Sequence, residues 1–201
     1  MFNQKIKINR QSVSDNRCFI VAEVSANHNK NFLVLKKFLN DLKKSGVDAV
    51  KLQAYQADTI TINHNSKDFQ IDKNNTWSQY QNLYSLYKKA ETPIHWFPEI
   101  FKYCKKIKLS VFASIFDESN LKLLERLGCP AYKVASPEIT DIPLIKKIAK
   151  TKKPVILSTG LSSFNDLKLA VKTVKKFNKK LIILKCTSSY PSTDKELNLK
   201  T

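Results

Sequence analysis

Short apolar runs, each ending in polar residues and each followed by a stretch with helical spacing, recur along this chain. The run CFIVAEV ends in Glu23, Ser25, Asn27 and His28 and reads as a first buried strand. Asn31 then caps a helix that carries Phe32, Leu35, Phe38, Leu39 and Leu42 on one face and stops near Gly46. VDAVKLQAY is a second strand, whose period of two puts Ala49, Lys51 and Gln53 on one face. LSVFASIF ends at Ser114 and Asp117, and a helix over 118–127 stops at Gly128, a natural position for a left-handed residue. AYKVAS, PVILSTG and LIILKCTSSYP complete the series, the last ending in Thr187, Ser188 and Tyr190. Between them a helix begins near Asp141, and Ser163 with Asp166 forms a capping box for a helix reaching Phe177.

The stretch from Ala131 to Gly160 holds two such strands joined by a helix, the pattern of a parallel βαβ unit. Six strand–helix units are expected over 18–201, after a lead-in hairpin over 1–17 that contains the alternating residues 4–8. No hairpin signal separates the last four strands. The repeat fits a (β/α)₈ barrel or an open doubly wound sheet. No GxGxxG or GxxxxGK[ST] follows the first strand, which disfavours the nucleotide-binding form of the latter. Ser114, Ser136 and Ser158 lie 22 residues apart, each at a strand's carboxyl end, where ligands of both folds bind. Lys133, Ser136, Glu138 and Ser158 there suggest a small-anion site. Lys133 and Ser136 differ in parity, so they converge only if the strand ends or bends by Ala135. Lys51, inside a buried strand, needs a partner or a ligand. Residues 56–100 break the rhythm and are expected to form a long loop and a helix over 79–90, as a substrate cover. Its Trp77, Tyr84, Tyr87 and Trp96 fit either a cover or plain loop packing.

Composition changes this picture little. The chain of 201 residues, 42% hydrophobic, is long enough for one sizeable core. A formal charge of +18 raises nucleic-acid binding, but 32 of the 35 basic residues are lysines, paired on helix faces without aromatic interleaving. A solvated helical surface explains them, and its positive field would attract a phosphorylated substrate. Cys18, Cys104, Cys129 and Cys186 lack metal spacing and read as reduced, partly buried thiols. The amino terminus has no apolar leader and no run approaches a membrane span, so a cytoplasmic location without membrane contact is expected.

FIVAEVSANHN, DAVKLQAY, FASIFD, AYKVASPEITDIPLI, KPVILSTG and LKCTSSYP, in this order, resemble the sialic acid synthase family. TITINHNSKDFQI with NLYSLYKKAETPIHW is similar to its pseudaminic acid synthase branch. The resemblance implies an incomplete TIM barrel that condenses phosphoenolpyruvate with an N-acetylated sugar to a nonulosonic acid. It implies a divalent metal, manganese or magnesium, and a homodimer for the intact enzyme. Lys133, Ser136, Ser158 and Ser188 match phosphoenolpyruvate-binding positions. Glu23, Lys51, Gln53, Ser114 and Tyr190 match positions on the sugar side, and Glu138 and Glu23 are the implied catalytic carboxylates. The product, N-acetylneuraminic or pseudaminic acid, stays open.

The chain also departs from the family. Lys30 stands where NHNG puts glycine in a turn that favours it. Two further barrel strands, with the two metal-binding histidines, and an antifreeze-like domain are expected to be missing after Thr201, and His28, His64 and His95 match no metal position. A second reading is therefore an inactive fragment whose open strand edges await a partner. A basic nucleic-acid binder and a Schiff-base aldolase using Lys133 or Lys51 are the remaining alternatives.

Overall fold

A computed structural model describes residues 6–14, 16–189 and 192–198. The fold is α/β, of the (β/α)₈-barrel type, with six strands in its main sheet among the described residues. Strands β1 (Ile6–Ile8) and β2 (Gln11–Val13) form an antiparallel hairpin, turned at Asn9, whose φ of 54° suits a short polar side chain. Strands β3 (Val21–Glu23), β4 (Ala49–Ala54), β5 (Ser110–Ile115), β6 (Tyr132–Val134), β7 (Val155–Ser158) and β8 (Leu181–Leu184) follow one another through one sheet in chain order. The pairs β3–β4, β5–β6, β6–β7 and β7–β8 are parallel.

The chain divides into two compact units, one of residues 20–111 and one of 112–201 with the described part of 1–19. In the first, α1 (Phe32–Lys44) is capped by the Asn31 side chain, which accepts from Leu33 and Val34 N–H, and it buries Leu35 and Leu39. Helix α2 (Ala57–Ile60) is a single turn. Helix α3 (Leu83–Ala90) starts four residues later than the periodicity predicts, because Asn82 closes a capping box with Ser85. Helix α4 (Phe97–Lys106) packs Phe97, Ile100 and Cys104.

Strand β5 is buried along its length, and in the second unit α5 (Glu118–Arg126) ends as expected at Gly128. There φ is +73°, Gly128 N–H donates to Glu125 O, and Cys129 N–H donates to Leu124 O, a Schellman motif. Helix α6 (Ile142–Lys150) buries Leu144, Ile145, Ile148 and Ala149, and α7 (Phe164–Phe177) is capped by the Ser163–Asp166 box.

Two expectations need correction. The first strand is not buried: Ile20 is 53% and Val21 37% exposed, as the end position of β3 in the sheet order allows. The thiols are all free, but Cys18 is exposed rather than partly buried.

Candidate active site

The second unit gathers most of the predicted anion site. Strand β6 ends at Val134, and Ser136 already has helical torsions (φ −59°, ψ −41°) at the start of a 3₁₀ turn over Pro137–Thr140. That early end removes the parity conflict between Lys133 and Ser136. Pro137, with no N–H to offer a ladder, helps to stop the strand. The Ser136 hydroxyl accepts from Gly160 N–H at 3.1 Å, across from β6 to the end of β7. Ser188 Oγ lies over the same glycine, in the space a side chain there would take, and Cys186 adjoins it. Lys133, Ser136, Glu138 and Ser188 thus share one neighbourhood, with Gly160 and Cys186 as members that the pattern reading did not single out. Only the polar run ending each strand hinted at them.

Register extends the group. Ser114 pairs with Lys133 across β5 and β6, Lys133 with Ile156 across β6 and β7, and Ser158 lies two residues beyond Ile156. Paired positions on neighbouring strands face the same way, so Ser114, Lys133 and Ser158 occupy one face. Ser158 is 1% exposed and its Oγ has no hydrogen-bond partner; Glu138 is half-buried, and its buried Oε2 likewise has none. Buried hydroxyls and carboxyls are rarely left unsatisfied, so both atoms are suited to a polar ligand.

Electrostatics agree. Burial pushes the Lys133 ammonium below the ordinary lysine range, against the opposing influence of Cys186 and Glu138. Burial likewise pushes the Glu138 carboxyl above the ordinary range, opposed by its own backbone N–H and by Lys133. An anion arriving there would be bound by a poorly solvated cation, where charge counts most.

The first unit carries the sugar-side candidates. Glu23 and Lys51 are register partners on β3 and β4, and their side chains form an ion pair. Lys51, whose side chain is 13% exposed, therefore has its counter-charge, as its place in a strand required. Gln53 is two residues further along the same strand face. Tyr190 lies outside the described residues. Beside these, Lys30 adopts the left-handed φ of +52° in place of a glycine and pairs with Glu91, which also accepts Ala57 N–H at 3.0 Å. His28 accepts Lys30 N–H on Nδ1 and so carries its proton on Nε2, facing Thr92 Oγ1 at 3.1 Å. The histidine serves the turn. Among the described residues no group of three or more His, Cys, Asp or Glu side chains is placed to hold a metal ion.

Parallel strands that deliver hydroxyls, a desolvated lysine and a raised carboxyl to their carboxyl ends make a barrel-type domain with a candidate anion site. The chain belongs to the NeuB family, whose model matches residues 38–201. It is 44% identical over 181 residues to the pseudaminic acid synthase of Helicobacter pylori, covering 90% of this chain and 53% of that protein. To the pseudaminic acid synthase of Campylobacter jejuni (serotype O:23/36) it is 39% identical over 188 residues, covering 93% and 54%. The N-acetylneuraminic acid synthetase of Leptospira borgpetersenii, crystallised with citrate, superposes with a TM-score of 0.84 at 28% identity, over 98% of this chain and 64% of that one. The chain spans about half the length of the curated relatives it matches.

Proposed function

We propose that this chain carries the phosphoenolpyruvate-binding part of a synthase that joins phosphoenolpyruvate to an N-acetylated amino sugar, forming a pseudaminic-type nonulosonic acid. The observation that carries the reading is the convergence of Ser136 and Ser188 on Gly160, beside a desolvated Lys133 and a raised Glu138. The 44% and 39% identities to pseudaminic acid synthases support the product class, with N-acetylneuraminic acid as the alternative.

In this reading Lys133 and the hydroxyls of Ser136, Ser158 and Ser188 bind the phosphate and carboxylate by charge and hydrogen bonds. Carbon 3 of the enol phosphate attacks the aldehyde carbon of the open-chain sugar, forming the C–C bond. Water adds to the cationic carbon 2, and the C–O bond to phosphate breaks. Glu138, protonated to higher pH than an ordinary carboxyl, donates or receives a proton or steadies the cation. Glu23, Lys51, Gln53, Ser114 and Tyr190 orient the sugar, with Glu23 a second acid–base candidate. A divalent metal, homodimeric assembly and a cytoplasmic setting belong to the same proposal, as properties of the longer protein. Among the described residues no helix is long and apolar enough to cross a membrane.

A second reading is a silent fragment that needs another polypeptide. The half-length coverage of the relatives favours it, as does β8, whose Ile183 is 49% and Leu184 38% exposed. One assay separates the two: phosphoenolpyruvate-dependent phosphate release by the purified chain with sugar and manganese. Turnover supports the synthase and removes the fragment reading; bound phosphoenolpyruvate without turnover keeps the phosphoenolpyruvate-binding part and favours the fragment reading, and a chain that neither binds nor turns over overturns the proposal.

A further inference from the structure

We infer that Gly160 is a positioning residue of the anion site: its lack of a side chain sets how closely the Ser136 and Ser188 hydroxyls approach each other. This rests on the phosphoenolpyruvate reading above. A Cβ built on Gly160 would lie 3.1 Å from Ser136 Oγ and 3.3 Å from the Cys186 Cβ, and would overlap Ser188 Oγ outright. The glycine is not there for its torsion angles, since its φ is not in the left-handed region that marks Gly46 and Gly128. It is there for close approach.

The contacts are also asymmetric. Ser136 is held from one side by the Gly160 N–H, which leaves its own hydroxyl proton free to point at a ligand oxygen. Ser188 comes from the segment after β8, and its Oγ and that of Ser136 are the two atoms nearest the position a Gly160 side chain would take. A methyl group at 160 would push Ser188 outward and strain the Ser136 hydrogen bond. The two hydroxyls would then no longer fit oxygens of one phosphate or carboxylate group.

Gly160→Ala, Ser188→Ala and the double variant of the full chain test this by calorimetric phosphoenolpyruvate binding, with urea midpoints as a control on folding. Gly160→Ala is expected to weaken binding roughly 10- to 100-fold. The double variant is expected to bind no worse than Ser188→Ala alone, because deleting the hydroxyl removes the overlap. Losses that multiply, or wild-type affinity in Gly160→Ala, overturn the inference while wild-type binding upholds the reading. Should Gly160→Ala fail to fold, the wild-type protein still decides. Glycine-selective ¹⁵N labelling gives resonances from just Gly46, Gly128 and Gly160, and phosphoenolpyruvate should move that of Gly160 alone. An unmoved Gly160 signal in a protein that binds the ligand overturns the inference, and no binding by the wild type overturns the reading with it.

Discussion

Lys51 on β4 stands directly across from Glu23 on β3, and the two side chains are ion-paired, with the lysine the more buried partner. A cation in a strand interior is tolerated only with such a counter-charge. Glu23→Gln should therefore lower the urea midpoint, by about 1–2 kcal/mol in unfolding free energy, moderated because Glu23 is partly exposed. Glu23→Gln/Lys51→Met should recover part of that loss. Equal additive losses in the cycle would show that the pair contributes nothing.

Phosphoenolpyruvate affinity should fall on the alkaline side before the ordinary lysine range is reached, because Lys133 loses its proton early. The Glu138 carboxylate holds that proton on, so Glu138→Gln should move the alkaline limb to still lower pH. Binding titrations from pH 6 to 10 check both shifts; a limb that moves upward contradicts the coupling. The same variant should abolish turnover in an intact enzyme while retaining bound phosphoenolpyruvate.

Burial, aided by the Lys30 charge, holds the His28 imidazole below its ordinary pKa of 6.5. Above that value both folded and unfolded chains keep it neutral, and stability is unaffected. As pH falls below it the unfolded chain gains a proton that the folded one refuses, so stability drops until the depressed folded value is passed. Denaturation free energies at pH 8, 7, 6 and 5 should decline over the acidic half, and His28→Gln should flatten that decline.

Lys108 occupies the left-handed position after α4, with φ +56° and its N–H donating to Lys105 O. Most chains use glycine there. Lys108→Gly should relieve the Cβ crowding and stabilise the protein by roughly 0.5–1 kcal/mol, read from thermal or urea unfolding. A loss of stability would mean that the side chain contributes more than its backbone strain costs.

Much of this was legible locally. Asn31, Gly128 and the Ser163–Asp166 box act through atoms a few residues away, so their chemistry shows in the sequence and the structure agrees. The start of α3 was misplaced because Asn82 outcompeted a periodicity that began at Gln79. The parity of Lys133 and Ser136 announced that β6 must end early, and it does. The exposure of β3 was not legible, since alternation tells which residues are apolar and not what covers them. Gly160 and Cys186 were equally hidden: their meeting with Ser136 and Ser188 depends on strands 24 or more positions apart, and no local pattern encodes it.

The four free thiols divide by environment. Burial pushes both Cys104 and Cys129 up to about 12, so they stay protonated and unreactive in water. A maleimide dye would accordingly attach at Cys18 and Cys186. With Cys18 changed to serine, a single fluorophore on Cys186, whose Cβ adjoins Gly160, would report on the proposed anion site by an optical titration that requires no turnover at all.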